Sequence, residues 1–219
     1  MSAACEFDHL IIGAHTLEQG AAYIEELLGV KPQAGGRHAA MGTHNMLLRL
    51  GARAYLEIIA IDPAGETPQR PRWFGLDNPN TQQRLREQPR LLTWAVRTQN
   101  IDATVKNCPL ALGTVHEMSR GAFTWRITIP DDGALICNGL LPAVIQWEGD
   151  AHPADKLENC GCDLAKLEGS HPSPATIAPA LRSLGIAAIL DLRSPAAIGA
   201  SELTAHIRCP RGVATISAR

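Results

Sequence analysis

The pattern of apolar and polar positions predicts the same order of elements twice along the chain. In the first copy a short apolar strand precedes a helix with apolar residues three and four positions apart, and three more strands follow. Thr16 is a helix-capping residue with Gln19 three positions later, and Gly29 is a residue at which helices commonly end. The predicted bounds are Phe7–Gly13, Thr16–Leu28, a strand between Val30 and His38, Asn45–Leu50 and Ala54–Ile61.

The second copy repeats this βαβββ order after a proline-rich segment. Its predicted elements are Leu91–Arg97, Asn100–Lys106, Thr114–Ser119, Phe123–Ile129 and Ala143–Trp147. Two modules of about the same size indicate an internal duplication, which usually decides the architecture of a protein. Residues 63–90, between the modules, are rich in proline and polar residues and are predicted to form a long irregular linker.

The chain after the second module has a different character and predicts a small α/β unit. Its predicted elements are a strand at Leu164–Leu167, a helix at Pro174–Leu184 and strands at Ile186–Leu192, Leu203–Ile207 and Val213–Ile216. The chain is therefore divided into a first module (1–62), a linker (63–90), a second module (91–149) and a C-terminal extension (150–219). The extension is expected to pack on the modules.

Composition and charge exclude several classes of protein. Hydrophobic residues make up 45% of the chain, which is normal for a folded globular protein. The net charge of −2 favours neither nucleic acid nor an anionic membrane as a partner, and no apolar run reaches the ~20 residues of a membrane span. The first residues do not resemble a secretory signal, and six scattered cysteines indicate a reduced, cytoplasmic protein. Cys160-Gly161-Cys162 alone is a weak signal for metal or redox chemistry.

Polar side chains interrupt the apolar strand faces at four corresponding positions. His9 and Glu57 lie among apolar residues on the first and last strands of the first module, and Thr93 and Gln146 on those of the second. Successive residues of a strand face opposite sides of a sheet, and a buried polar group needs a partner. The four positions therefore indicate a polar pocket that the two modules share.

Several sequence segments resemble one superfamily of enzymes and binding proteins. DHLIIG, followed by a helix and then YLEIIA, resembles the vicinal oxygen chelate superfamily, which includes glyoxalase I, extradiol dioxygenases and bleomycin-resistance proteins. GGRHAAMGTHNMLLRLG three residues before YLEIIA, with the later FTWRITIP and LPAVIQW, resembles the bacterial glyoxalase-like domain family over nearly the whole chain. The resemblance implies an α+β fold with two tandem βαβββ modules that form a curved mixed sheet around a cleft.

The same resemblance implies one divalent metal ion, Zn²⁺, Mn²⁺, Ni²⁺ or Fe²⁺, held by the first and last strands of each module. Carried over residue by residue, the ligand positions are His9, Glu57, Thr93 and Gln146. Histidine and glutamate are good ligands and Gln146 offers a neutral oxygen, whereas Thr93 is a poor ligand, so at most three protein ligands are present. This set is typical of an open catalytic site and equally of a metal site that has decayed. The alternative for His9 and Glu57 is a buried hydrogen-bonded pair.

A second polar cluster precedes the third strand of the first module. It contains Arg37, His38, Thr43, His44 and Asn45. The resemblance implies that this segment lines the cleft, where its side chains would bind an anionic or carbonyl-bearing ligand. His44 or His38 would act as the general acid or base, because imidazole titrates near neutral pH. The alternative is that these residues hydrogen-bond within a turn.

Two aromatic segments are further candidates for the site. Strand alternation places either Trp125 or Arg126 in the cleft, as an aromatic wall or as a carboxylate-binding group; a core tryptophan with a surface arginine is the alternative. Trp73-Phe74 in the linker is interpreted as an anchor to the body of the protein in preference to a flap over the pocket. Gly35-Gly36 is predicted to form an ordinary turn.

These features predict a glyoxalase-like protein that binds a small oxygen-rich, carbonyl or carboxylate metabolite in the cleft between its modules. As an enzyme it would be a metal-assisted lyase, isomerase or oxygenase in which Glu57 and His44 are the catalytic residues. The alternatives are metal-free binding or sequestration, as in bleomycin-resistance proteins, and a metal-free enzyme that uses His44 and Arg37. A homodimer is a further expectation.

Overall fold

A computed structural model describes residues 4–195 and 201–219, which form two β-sheets with helices between and beside them. The first module comprises β1 (Glu6–Gly13), α1 (Leu17–Leu28), β2 (Gln33–His38), β3 (Thr43–Arg49) and β4 (Tyr55–Ile61). After α2 (Pro79–Glu87), the second module comprises β5 (Arg90–Arg97), α3 (Ile101–Asn107), β6 (Thr114–Arg120), β7 (Phe123–Ile129) and β8 (Ala143–Trp147). The repeated βαβββ order is confirmed.

The two modules share one mixed sheet with the strand order β2-β3-β4-β1-β5-β8-β7-β6. Within the modules β1 pairs with β4, and β5 with β8, in parallel, while β1 and β5 join the modules as an antiparallel pair. The sheet curls until its end strands, β2 and β6, approach each other. Their closeness is shown by Gly36 of β2, where an added Cβ would lie 2.9 Å from Cγ and Cδ of Arg120 on β6. The curved sheet around a cleft is therefore confirmed.

Local signals account for the ends of α1. The Thr16 side chain accepts a hydrogen bond from the Gln19 N–H, and Gly29 ends the helix in a left-handed conformation with φ of 72°. Ile24 and Leu28 point from the helix into the core between the helices and the sheet, where both are fully buried. The caps fix the length of the helix, and its apolar stripe fixes which face meets the sheet.

The prediction of an irregular linker at 63–90 is wrong for its second half, which contains α2. The Asn78 side chain accepts hydrogen bonds from the first free N–H groups of the helix, and Pro79 occupies the first helical position. Leu85 is fully buried, and Gln19 donates to its carbonyl oxygen, which ties α2 to α1. The Asn-Pro signal is local and readable in the sequence, but only one side chain of the helix is buried, so no apolar periodicity accompanies it.

The extension forms a second sheet with the strand order β10-β9-β11-β12. Its elements are β9 (Asp163–Ser170), α4 (Pro174–Ser183), β10 (Leu190–Arg193), β11 (Glu202–Cys209) and β12 (Gly212–Ser217). The predicted strand at Ile186–Leu192 starts later than expected because its first residues form a turn, closed by a hydrogen bond from the Ile189 N–H to the Ile186 carbonyl.

Two cores lie on the two faces of the curved sheet. The convex face packs against α1 and the extension, with Leu10, Trp94 and Ile207 among the buried residues. The concave face holds a smaller core that includes Ile11 and Trp125. Because the extension covers the convex face, the concave face is left to hold the site. No helix in the described part of the chain is long and apolar enough to cross a membrane.

Candidate functional site

A small cavity with polar walls lies on the concave face of the large sheet, and both modules contribute to it. About 20 Å³ of it is open to the centre of a water molecule, which is room for one or two waters. We refer to it as the polar cavity. Its lining residues are His9, His38, Tyr55, Glu57, Trp73, Phe74, Arg120, Trp125, Ile127, Ile145 and Trp147.

Glu57 presents one partnered and one open carboxylate oxygen to the polar cavity. The side chain is buried on β4, and the Asn45 amide of β3 donates a 2.5 Å hydrogen bond to its Oε1. The other oxygen, Oε2, lies 3.7 Å from His9 Nε2, beyond hydrogen-bond distance. In residues 4–195 and 201–219 no hydrogen-bond donor reaches Oε2, so this atom is free to accept a proton from a ligand.

Asp8 holds the His9 imidazole in a defined orientation. Its carboxylate is fully buried and lies 2.6 Å from His9 Nδ1, 3.0 Å from Trp147 Nε1 and 3.1 Å from His152 Nε2. Burial by itself raises the pKa of a carboxyl, but the hydrogen bonds from His152 and His9 outweigh it and hold the pKa of Asp8 well below its ordinary value. The carboxylate accepts a hydrogen bond from His9 Nδ1–H, and the other ring nitrogen, Nε2, faces Glu57. The His9 ring also stacks on Tyr55 with centroids 4.4 Å apart.

His38 is a neutral histidine in the wall of the polar cavity. Its Nδ1 lies 3.1 Å from Thr43 Oγ1, and its Nε2 lies 3.4 Å from both the Asn45 amide nitrogen and an Arg120 guanidinium nitrogen. Because two donors share Nε2, we assign the ring proton to Nδ1. Burial lowers the pKa of His38 to about 4, so the ring is uncharged at neutral pH.

The low pKa of His38 predicts a loss of stability in mild acid. The unfolded histidine takes up a proton near pH 6.5 but the folded one only near pH 4. The free energy of unfolding is therefore fully maintained above pH 6.5 and falls, by about 3 kcal/mol in total, as the pH decreases from 6.5 to 4. Urea titrations across this range should show a shallower decrease for His38→Asn than for the wild type. The exposed His15→Asn variant is the control, and equal slopes for wild type and His38→Asn would contradict the assignment.

Arg120 places a buried positive charge beside His38. The residue is only 9% exposed, and its guanidinium contacts His38 Nε2 and lies 6.0 Å from the centre of the Phe123 ring. In residues 4–195 and 201–219, no carboxylate oxygen lies within 4 Å of it. The strand predicted at Thr114–Ser119 ends one residue before Arg120, whereas in the structure Arg120 is the last residue of β6.

Gly35 and Gly36 lie in β2, which corrects their assignment to an ordinary turn. A Cβ on Gly35 would lie 2.0 Å from Asn45 Oδ1, and one on Gly36 would press on the Arg120 side chain. The Gly36 N–H donates to Asn45 Oδ1 at 2.8 Å. The two glycines thus make room for the side chains that contact Glu57 and His38.

Comparison with known proteins assigns the family. The model of the family described as the glyoxalase-like domain matches residues 7–185, which is most of the chain. The chain belongs to the glyoxalase-like domain family. This confirms the resemblance to that family. A comparison with curated proteins finds no match.

The solved structures that the comparison finds have low sequence identity to this chain. A hypothetical protein from Staphylococcus aureus is 15% identical with a TM-score of 0.59, over 97% of this chain and 85% of that one. A methylmalonyl-CoA epimerase in complex with methylmalonyl-CoA and NH4⁺ is 17% identical, over 69% of this chain and 100% of that one, with a TM-score of 0.44. A mutant of 4-hydroxymandelate synthase from Streptomyces coelicolor is 13% identical, over 99% and 62%, with a TM-score of 0.45. The first of these likenesses establishes the fold alone.

Part of the predicted site is assembled as expected in this glyoxalase-like chain. His9, His38, Glu57 and Trp125 line the polar cavity, and Asn45 contacts two of them. The Thr43 hydroxyl forms a hydrogen bond with Nδ1 of His38, on the side of the ring away from Asn45 and Arg120. Trp73 and Phe74 are buried and line the same cavity.

Three predicted site residues lie elsewhere. His44 follows Thr43 and precedes Asn45 on β3, so alternation turns it to the opposite face, where its Nδ1 is 4.0 Å from Asp62. Arg37 is 65% exposed at its side chain and pairs with Asp62 at 3.2 Å. Arg126 forms two hydrogen bonds, at 2.7 and 2.8 Å, with Asp102 of α3. The structure corrects the expectation that these three side chains line the cleft.

The second module does not provide the metal ligands that the family resemblance implies. The Thr93 hydroxyl donates to the Gly139 carbonyl at 3.0 Å, and Gln146 Oε1 accepts from the Ile101 N–H at 2.8 Å. In the first module, Glu57 of β4 pairs with Ile11 of β1. The residue of β5 that corresponds to Ile11 is Ala95, and it pairs with Ala143 of β8, not with Gln146. Gln146 lies an odd number of residues from Ala143 and therefore faces α3, which corrects its assignment as a ligand.

The residues present therefore do not fit the implied metal ion. The described ranges 4–195 and 201–219 contain no group of three or more His, Cys, Asp and Glu side chains that converge on one metal position. His9 and Glu57 face each other, and the next potential ligand is Nε2 of His38. The Arg120 guanidinium lies 3.4 Å from this nitrogen, and its positive charge would repel a metal ion at that position.

Proposed function

We propose that the polar cavity binds a small carbonyl compound and that Glu57 removes a proton from the carbon beside its carbonyl group. The open Oε2 of Glu57 is the observation that carries this proposal. The Glu57 side chain is buried, Oε2 has no hydrogen-bond donor in the described residues, and this oxygen lies 3.7 Å from a histidine nitrogen in the wall of the cavity. A carboxylate in such a setting is a general base with little competition from water.

The proposed step is an internally balanced proton transfer. The carbon–hydrogen bond breaks, its proton goes to Glu57 Oε2, and its electron pair forms the carbon–carbon double bond of an enolate whose charge lies on the former carbonyl oxygen. Return of the proton to the same carbon gives exchange or inversion, and return to a neighbouring atom gives isomerisation. His9 Nε2, 3.7 Å from Oε2, is positioned by Asp8 to exchange the proton with Glu57. No step uses a metal ion, because the side chains do not fit one.

Ligand binding requires a movement at the linker. The present cavity has room for one or two waters, so a carbonyl compound of several heavy atoms needs more space. Trp73 and Phe74 close the cavity from residues 63–90, with their rings stacked 5.2 Å apart. Phe74 has φ of 59°, an uncommon conformation for a bulky residue, so a shift at Phe74 would relieve local backbone strain.

Proton exchange in heavy water tests the proposal. The protein in D₂O should accelerate loss of the proton NMR signal next to the carbonyl group of pyruvate, pyruvamide or hydroxyacetone, relative to buffer. Acceleration should persist in EDTA. Exchange that stops in EDTA and returns with Mn²⁺ would overturn the metal-free step, and saturable binding without exchange would identify a sequestering protein instead.

A further inference from the structure

Among the residues that the structure describes, the positive charge of Arg120 has no carboxylate within 4 Å and contacts neutral side chains. Its hydrogen-bond partner is His38, which is uncharged, and Phe123 contributes an aromatic face. Desolvation of a guanidinium without an anion is unfavourable. The position is nevertheless built for it, since Gly36 leaves space for the side chain against β2.

Trp73, which lines the same cavity, carries a second donor without a partner in the described residues. Trp73 is 3% exposed, and its Nε1–H has no hydrogen-bond acceptor in the described ranges 4–195 and 201–219. A buried N–H of this kind is rare in folded proteins and requires an explanation. The Trp73 ring packs edge-on against His38 with centroids 5.0 Å apart, and His38 in turn contacts Arg120.

We infer that Arg120 and Trp73 form a subsite for a carboxylate group, so that the ligand of the polar cavity is a small carbonyl compound that also carries a carboxylate. This inference rests on the proposed function and narrows its substrate class. The planar guanidinium offers two parallel donors to a carboxylate, and the indole N–H offers a third.

The charges of the cavity also orient such a ligand. Glu57 lines the same cavity and lies more than 4 Å from Arg120, so it repels an anion from its own end and leaves the Arg120 end for it. The carboxylate would occupy the Arg120 end, and the neutral carbon beside the carbonyl group would face Glu57 Oε2. A 2-oxo acid has this arrangement of groups.

Matched pairs of ligands test the subsite without any substitution. Pyruvate and pyruvamide differ only in the carboxylate, and their dissociation constants can be obtained from ligand-observed NMR titrations of the full chain. Pyruvate should bind at least tenfold more tightly, since hydrogen bonds to charged groups are the stronger ones. Equal affinities, or no saturable binding of pyruvate, would overturn the inference.

Substitutions then assign the effect to the two residues. Arg120→Met should weaken pyruvate binding at least tenfold and change pyruvamide binding less than twofold, while Trp73→Phe, which removes only the N–H, should weaken pyruvate binding about threefold. Arg126→Met, on the opposite face, is the matched control. If Arg120→Met does not fold, Arg120→Lys replaces it in the test. Lysine keeps the charge without the two parallel donors, so its affinity for pyruvate should lie below that of the wild type and above that of a variant without the charge. An unchanged preference for pyruvate in the arginine variants would contradict the subsite.

The proton-exchange assay separates failure of the subsite from failure of the proposed function. If only the subsite is wrong, Arg120→Met still exchanges the protons of hydroxyacetone and pyruvate at the wild-type rate. If the proposed function is wrong, wild-type protein exchanges neither compound, whatever its preference between pyruvate and pyruvamide.

Discussion

Replacement of Glu57 by glutamine should reduce proton exchange by about 10²–10⁴-fold, the usual contribution of a general base. Glutamine keeps the shape of the side chain, and its carbonyl oxygen can still accept the hydrogen bond from Asn45, but its amide does not take up a proton from carbon. Exchange of pyruvate and hydroxyacetone protons in D₂O measures the effect. Circular dichroism and urea denaturation should show the native fold.

A second buried carboxylate provides the control for Glu57→Gln. Asp62 is 5% exposed and pairs with Arg37 outside the polar cavity, so Asp62→Asn removes a buried charge without touching the proposed base. Exchange by Asp62→Asn should stay within about twofold of the wild type. Retention of more than half of the wild-type rate in Glu57→Gln would refute the assignment of Glu57 as the base.

Replacement of Asp8 by alanine should lower the free energy of unfolding by about 3–5 kcal/mol, a large part of the total stability of a domain. The substitution leaves the donors of His9, Trp147 and His152 without their shared acceptor at a position that is fully buried. The pKa of Asp8 is depressed in the folded protein, so its contribution is fully present above the unfolded pKa near 4 and is lost only below it. Urea titration at pH 7 therefore measures the whole effect.

Two variants calibrate the Asp8 result. Asp8→Asn keeps the volume and one acceptor oxygen, so its loss of stability should be smaller than that of Asp8→Ala. Asp102→Ala removes a carboxylate whose partner, Arg126, lies at the surface, and it should change stability little. A loss for Asp8→Ala no greater than for Asp102→Ala would show that the three hydrogen bonds do not stabilise the fold.

The direction of a side chain was predictable from the sequence where strand alternation alone decides it. His9 and Glu57 were placed on the same face because their strands are regular and apolar, and both line the cavity. The same argument applied to Gln146 failed, because it depends on the register between β5 and β8. Gln146 was taken as the counterpart of Glu57, but it lies three residues beyond the true counterpart, Ala143. Because three is an odd number, the predicted face of Gln146 was reversed.

Residues that act across distant segments were not accessible to a local pattern. Asp8 was not recognised, since its partners Trp147 and His152 lie in the second module and the extension. Arg120 acquires its role only because the sheet curls and brings β6 against β2. Such contacts depend on how the elements pack, and the periodicity within one element does not contain this information.

The sequence by itself determined the duplicated βαβββ order, the caps of α1 and the face that carries His9 and Glu57, because each depends on interactions within one element or between neighbours in the chain. The tertiary structure decided which other side chains join them. It placed Gln146 on the opposite face, brought Trp147 and His152 to Asp8, and buried Arg120 beside His38. The physical reason is that strand register and sheet closure are set by the packing of all elements together, and a shift of one residue in register reverses the direction of every side chain in a strand.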